Sequence, residues 1–375
     1  MIYKLVAPCL FGVEGLLSDE LKRLGALDVL AGNGRVAFSG DSSMIAKVNI
    51  GSRLAERVLI LISEFDASTF ESLFEGVKSL PFDQFIDKDD AFPVTGWSIS
   101  SKLFSIPDCQ SIIKKAVVER LKQKYKTDWF EETGTVKKIR FSILKNKVSL
   151  MLDTSGEPLH KRGYRKEGVE APIKETLASA LCMLARIFPD TALCDPFCGS
   201  GTILIEAAMI AKNMAPGLKR RFAAEKFEFI GEDVFRKQRE AALGQIRQAE
   251  FKAYGSDIDE KAVELTLANA KKAGVDKLIN AKICDVKDLS LPEGRLKVIT
   301  NPPYGERLLN IKAAEDLYSI LGEKLQPQNG KGYFIISASE DFERYFGRIA
   351  DKKRKLYNGM LKCDLYMFFA AVKNF

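Results

Sequence analysis

The 375-residue sequence predicts an α/β fold in which a parallel, doubly wound sheet, closed at one edge by an antiparallel hairpin, follows two smaller α+β units. Three observations carry that prediction. From Ala192 onward, short apolar runs alternate with amphipathic ones, as strands separated by crossover helices do. Near the end, Arg354–Tyr357 and Cys363–Val372 are β-like and separated around Asn358-Gly359-Met360, where Asn-Gly is a hairpin signal. The length, at roughly 100–200 residues per domain, calls for two or three domains.

In chain order, the first unit has an apolar opening Tyr3–Cys9, an amphipathic run Val13–Leu24, a strand-like Gly34–Ser39, a helix near Ser42–Val48 and a strand Val58–Phe65. The second has a helix Ser68–Leu80, a strand Gly96–Ser101, a basic helix Cys109–Tyr125 and β-like runs Lys138–Leu144 and Lys147–Asp153. Ser155-Gly156-Glu157-Pro158 then breaks the pattern. The chain is accordingly divided into 1–65, 66–155 and 156–375. The last part pairs Ala192–Asp195 with Thr202–Lys212 and Lys252–Asp257 with Asp259–Ala273, then adds strands Ile279–Asp285, Val298–Asn301 and Gly332–Ser337. Met214–Ala249 reads as an inserted excursion.

Composition excludes several classes. Hydrophobic residues at 46% and charged residues at 29% are ordinary for a soluble globular chain, and no apolar run reaches the roughly 18 residues of a membrane span. Met1–Leu10 lacks a basic stretch followed by a long apolar one, so no secretory signal is read and the cytoplasm is the expected compartment. Seven cysteines, scattered without a Cys-x-x-Cys pair, read as reduced thiols. His160 is the sole histidine, which leaves Ser-His-Asp triads and histidine metal centres almost no material; no metal is expected. The net charge of +7 is unevenly spread: 12 Lys and Arg face 5 Asp and Glu over Ser101–Leu150, against 4 and 9 over Gly51–Ser100. The basic block is either a solvated helical face or a phosphate-binding surface.

Four segments carry candidate chemistry. Asp195-Pro196-Phe197-Cys198-Gly199-Ser200-Gly201-Thr202 puts a Gly-x-Gly turn between a strand and a helix, where backbone can approach a ligand closely and free N–H groups can meet an anion. The third glycine of a dinucleotide fingerprint and the Gly-Lys of a P-loop are both missing. Asp257, followed by Ile258 and Asp259, ends the second parallel strand, where a carboxylate accepts two ribose hydroxyls; the alternative is a helix cap, which fits Asp259 better. Asp285 ends the third strand, where an acid can accept from the amine of an adenine with Val286 as a backbone partner. Asn301-Pro302-Pro303-Tyr304 follows a further strand. Its prolines remove two backbone donors and stiffen the turn, so that its carbonyls and the Asn301 side chain can hold an exocyclic amine while Tyr304 offers a face for stacking. The alternative is an ordinary turn. Cys194 and Cys198 read as small packing residues.

Together, DPFCGSGT, the strand-ending Asp257 and NPPYGER resemble the class I S-adenosylmethionine-dependent methyltransferases, specifically the bacterial THUMP-domain family of RNA guanine-N2 methyltransferases. His160-Lys161-Arg162-Gly163-Tyr164-Arg165 with Ala171–Glu175 resembles the segment before that family's catalytic domain, and Ala7–Gly25 and Cys109–Lys126 resemble its ferredoxin-like and THUMP modules. The resemblance implies a Rossmann-like catalytic domain and S-adenosylmethionine as cofactor. It places Asp195, Phe197, Gly199, Ser200, Gly201 and Thr202 around the methionine part, Asp257 and Ile258 at the ribose, Asp285 and Val286 at the adenine, and Asn301 at both cofactor and base. Asn301, Pro302, Pro303 and Tyr304 would hold the target. The implied substrate is RNA, in the first instance 23S ribosomal RNA or a pre-ribosomal particle, with phosphate contacts from Lys114, Lys115, Arg120, Lys122, Lys124 and Lys126 and, at the junction, Lys161, Arg162 and Arg165. The same catalytic turn permits N6-adenine methylation of DNA or RNA, and transfer RNA is an alternative target for guanine. A non-catalytic RNA-binding role is the third reading. A sulfonium methyl needs in-line alignment more than a strong base, so a single histidine is no handicap.

Overall fold

Local signals set the element ends. Asp41 caps one helix through Met44 N at 2.9 Å, Thr69 and Ser72 form a capping box, Asp259 caps another through Lys261 N at 3.0 Å, and Gly25 and Gly274 close helices in the left-handed conformation. The computed structural model describes residues 1–165, 173–303 and 311–369.

The first half contains β1 Tyr3–Pro8, α1 Glu14–Leu24, β2 Leu27–Gly32, β3 Arg35–Gly40, α2 Ser42–Gly51, β4 Leu59–Asp66, α3 Phe70–Lys78, β5 Val94–Ile99, α4 Ile106–Tyr125, β6 Ile139–Leu144 and β7 Lys147–Asp153. The two units read from the sequence share one seven-stranded sheet, ordered β2-β3-β1-β4-β7-β6-β5. β4 joins them, pairing Leu5 with Ile60 on one side and Leu59 with Asp153 on the other. Helices α1 and α2 bury Leu17, Leu21, Ile45 and Val48 against Leu5, Val36 and Phe38, and α3 and α4 bury Leu73, Val77, Ile113 and Val117 against Phe141 and Leu150.

The second half contains α5 Glu175–Leu184, β8 Ala192–Asp195, α6 Thr202–Ala211, α7 Glu232–Gly244, β9 Lys252–Asp257, α8 Glu260–Ala273, β10 Ile279–Ile283, β11 Leu296–Thr300, α9 Ile311–Lys324, β12 Lys331–Ser337, α10 Phe342–Phe346, β13 Lys352–Asn358 and β14 Leu361–Phe368. Its sheet runs β10-β9-β8-β11-β12-β14-β13, the first five strands parallel and β14 reversed, pairing antiparallel with β12 on one side and with β13 on the other, as expected for a doubly wound sheet with an edge hairpin. The order reverses direction between β8 and β11, and open α/β sheets bind ligands in the crevice outside the strand ends at such a point. Helices α5, α6 and α8 cover one face and α9 and α10 the other.

Among the described residues the sequence reading missed β2, α5, α7, α9 and α10. α5 is buried at every position from Glu175 to Cys182, so it lacks the polar face that marks a helix. The segment taken as an excursion is instead a tie between the two halves. Its α7 packs on α2, with Gln238 Nε2 donating to Ser43 Oγ at 2.8 Å, and Gly217 N donates to Ile50 O at 2.8 Å. A side chain at Gly217 would start 2.7 Å from the Ile50 Cα, which explains the glycine. Arg53 donates to Met214 O, and Arg162 donates to Arg53 O, from either side of the same seam. No helix among the described residues is long and apolar enough to cross a membrane.

Candidate active site

β8 and β11 lie side by side, pairing Val298 with Cys194, so the loops that follow them leave the sheet together. Thr300 Oγ1 donates to Asp195 Oδ1 at 2.7 Å and ties the two strand ends. Phe197 N donates to the same oxygen at 3.2 Å, and Asp195 is fully enclosed. Burial pushes its carboxyl up to about 7, against both hydrogen bonds and helped by the nearby charge of Asp257.

The turn after β8 is held from three sides. Cys198 N donates to Ser256 O on β9, Thr266 Oγ1 donates to Gly199 O at 2.8 Å, and Asn269 Nδ2 donates to Ser200 O at 3.0 Å. Gly201 sits at φ +77°, and a Cβ there would lie 2.8 Å from Thr266 Cγ2, so two independent constraints require glycine. Gly199, at φ +51°, has open space where its Cβ would be. Ser200 and Thr202 are buried, with their hydroxyls 3.1 Å apart at the start of α6, and Phe197 is half-buried.

Asp257 is not the cap of α8; Asp259 is. Asp257 Oδ2 instead accepts from Gly199 N at 2.9 Å and Oδ1 from Asp259 N at 3.1 Å, placing the carboxylate beside the Gly-rich turn. Ile258 is 71% exposed next to it. Asp285 lies in the loop after β10 and uses Oδ1 to accept from Lys287 N; Val286 is buried. Asn301 follows Thr300 directly. Its Oδ1 is buried and, among the described residues, has no hydrogen-bond partner, a rare state for an amide oxygen because burying one unpaired costs about 1–3 kcal/mol. Pro302 is buried and Pro303 half-buried beside it; Tyr304 to Arg307 lie outside the described residues. The structure thus gathers Asp195, Gly199, Asp257, Asp285 and Asn301 at the carboxyl ends of adjacent strands. This rim can accept hydrogen bonds from hydroxyls and an amine, and it holds one acceptor in reserve.

Sequence reading missed Thr266, Asn269 and Thr300. Thr266 and Asn269 are polar residues three apart on the buried face of α8, and that spacing is the signal that was available. The cysteines flanking the turn are held as thiols: burial pushes Cys194 up to about 12 and Cys198 higher still. Among the described residues no group of three His, Cys, Asp or Glu is placed to hold a metal.

The basic residues are dispersed in role. On α4, Lys114 pairs with Glu132 and lies 3.5 Å from the centre of the Phe92 ring, Arg120 pairs with Asp83 at 2.8 Å, and Lys122 pairs with Glu119 at 3.2 Å and Asp128 at 3.6 Å. Lys124 donates to Asp83 O. Lys115 and Lys126 are exposed, as is Lys161, which pairs with Glu157 at 2.9 Å. The junction arginines depart from the expectation of RNA contacts. Arg162 is buried, donating to Leu159 O and Arg53 O at 2.6 Å each, because it braces the seam between the halves. Arg165 turns inward to Thr202 Oγ1 at 3.1 Å and Ile173 O at 2.8 Å, next to the turn after β8. Lys166, Ala171 and Pro172 lie outside the described residues.

Comparison with known proteins places this geometry. Residues 162–367 match the model of the RMKL-like methyltransferase domain, 67–153 that of the THUMP domain and 4–59 that of the RlmL ferredoxin-like domain. The chain is 42% identical over 374 residues to YpsC of Bacillus subtilis (strain 168), covering 99% of this chain and 97% of that protein. It is 35% identical to the ribosomal RNA large subunit methyltransferase K/L of Syntrophotalea carbinolica, covering 97% of this chain and 53% of that larger protein. The structure of SMU.472, solved as a complex with SAH, superposes with a TM-score of 0.92 at 42% identity, covering 98% of both chains.

Proposed function

Because the chain belongs to the RMKL-like family of THUMP-domain, S-adenosylmethionine-dependent RNA methyltransferases, we propose that it methylates the exocyclic N2 amine of a guanine in 23S ribosomal RNA. The observation that carries this reading is the buried Asn301 Oδ1, without a partner among the described residues, at the strand end beside the Gly-rich turn. An acceptor held dry and unpaired is prepared for a donor that arrives with the substrate, and an amine brings one. Large-subunit ribosomal RNA as the carrier is favoured by the relatives named for that subunit, and guanine as the target by the resemblance of DPFCGSGT and NPPYGER to the RNA guanine-N2 methyltransferases.

The residues present fit the cofactor. Asp257 would accept from the ribose hydroxyls, Asp285 and Val286 would meet the adenine, and the open side of Gly199, with Phe197, Ser200, Gly201 and Thr202 around it, would face the methionine part. Bound there, S-adenosylmethionine supplies a methyl group already activated by its sulfonium charge. Asn301 Oδ1, with the Pro302 carbonyl, would accept the amine hydrogens and draw off positive charge as the nitrogen took the methyl carbon, the sulfur leaving as a thioether and one amine proton passing to water, while the proline pair would keep the turn from relaxing. Tyr304 is assigned the stacking face for the extruded base. Asp195, its carboxyl pushed up to about 7 by burial, is divided about evenly between its two protonation states near neutral pH and ionises when positive charge is brought next to it. The division into 1–65, 66–155 and 156–375 is retained as ferredoxin-like, THUMP and catalytic parts, the first two presenting the RNA.

The test is incubation of large-subunit ribosomal RNA with labelled cofactor, followed by nucleoside digestion and mass analysis. N2-methylguanosine is the expected product. N6-methyladenosine as the sole product contradicts the reading, and mapping of ribosomal and transfer RNA from cells lacking the protein identifies the carrier.

A further inference from the structure

A cleft of about 960 Å³ separates the ferredoxin-like part from the amino end of the catalytic sheet. Its cationic lining comes from five places distant in sequence: Arg23 on α1, Lys47 on α2, Arg53 after α2, Arg186 after α5 and Arg247 before β9. A second cavity of about 560 Å³ shares Leu16, Met183 and Arg186 with it and adds Lys297, Lys352 and Arg354. The two form one groove, lined by eight basic side chains and by two acids, Asp19 and Glu20. Glu20 is already committed, accepting from Ser52 Oγ at 2.6 Å and Arg53 N at 2.9 Å. Among the described residues none of the eight makes an ion pair with a carboxylate.

Two features mark this as an arrangement with an anionic occupant. Arg186, where the cavities meet, ends α5 at φ +57°, a left-handed position where glycine is the ordinary residue, so a long cationic side chain is kept at a conformational cost. Lys297 lies close enough to Arg186 for their charges to repel; its ammonium is held below its usual range first by burial and then by that arginine. Like charges crowded in a partly desolvated groove are relieved by a row of oxyanions.

We propose that this groove seats phosphates of the RNA backbone, anchoring the substrate at the amino end of the catalytic sheet while the target base enters at the carboxyl end. The family's substrate is RNA whatever the target base, so the proposal stands apart from the guanine-N2 reading. An extended polyanion suits a groove whose cations run from α1 across β11 to β13.

The test measures binding of a fluorescein-labelled RNA hairpin across a potassium chloride series for three double variants: R186Q/K297Q, R23Q/K47Q and the control K271Q/K272Q on α8, which removes the same charge away from the groove. Each groove pair should flatten the plot of log affinity against log salt by about 0.7–0.9 for every phosphate no longer neutralised, whereas the control keeps the wild-type slope. SAH affinity by calorimetry stays unchanged in all three, which verifies folding. Groove variants with the control's slope overturn the proposal. So does loss of pyrophosphate binding in the groove variants with the RNA slope intact, because the site then belongs to a small free anion.

Discussion

At the carboxyl ends of β8, β9 and β11 the protein gathers carboxylates and an amide around a glycine turn, whereas at the amino ends of the same sheet it gathers cations that, among the described residues, have no carboxylate partner. A five-residue strand such as β11 separates the two by about 16 Å. The carboxyl end is built from contiguous motifs, each on one loop. The amino end is built from residues spread between Arg23 and Arg354, no two of which sit in a motif. Helix α4 shows the converse: its cations are contiguous in sequence, yet Lys114, Arg120 and Lys122 are neutralised by Glu132, Asp83 and Glu119. Charge density along a chain is thus a poor guide to charge density in space.

The contrast can be broken at either end. Asn301→Ala should produce the largest effect, a fall of about 10²–10³ in turnover, the scale of losing one charge-stabilising hydrogen-bond partner, with cofactor affinity little changed. Single-turnover methylation with calorimetry in parallel reads both, and wild-type turnover would remove Asn301 from the chemistry. Next is Asp195. Its folded-state carboxyl, at about 7, lies above the unfolded value of 3.8, so the protonated form is the one that suits the fold and stability is lost as pH rises between them. Between pH 5 and 8 the wild type should lose about 2–3 kcal/mol more than Asp195→Asn, measured by urea unfolding. Parallel pH profiles would contradict the shift. Asp257→Ala should weaken SAH binding roughly tenfold through lost acceptors and a looser Gly199 turn; unchanged affinity would make Asp257 a structural brace alone. Smallest is Lys114→Gln with Arg120→Gln. Because these cations are already paired, the salt slope of RNA binding should stay near wild type while the thermal midpoint falls by a few degrees. A slope flattened as much as by the groove variants would return the RNA surface to α4.

Much of the catalytic half was legible because its chemistry is local. β8 and β9 end where their apolar runs end, and Asp195, Asp257 and Asn301 lie at strand ends that those runs reveal. Tertiary context hid the rest. α5 is buried all round, β2 exposes Leu27 and Leu30 and so lacks an inward stripe, and the continuity of the first sheet through β4 depends on long-range pairing that no local window contains. Arg162 illustrates the same limit at one residue: in the string Lys161-Arg162 both look solvent-bound, and only the carbonyls of Leu159 and Arg53 show that one of them is a buried brace.

The most direct test of the shared crevice is a crystal structure of this protein with SAH and guanosine. The account predicts the thioether sulfur over the Gly199–Gly201 turn, with Asn301 Oδ1 within hydrogen-bonding distance, about 2.7–3.2 Å, of the guanine N2. A thioether seated there with the Asn301 side chain turned away from it and from the base would contradict the account.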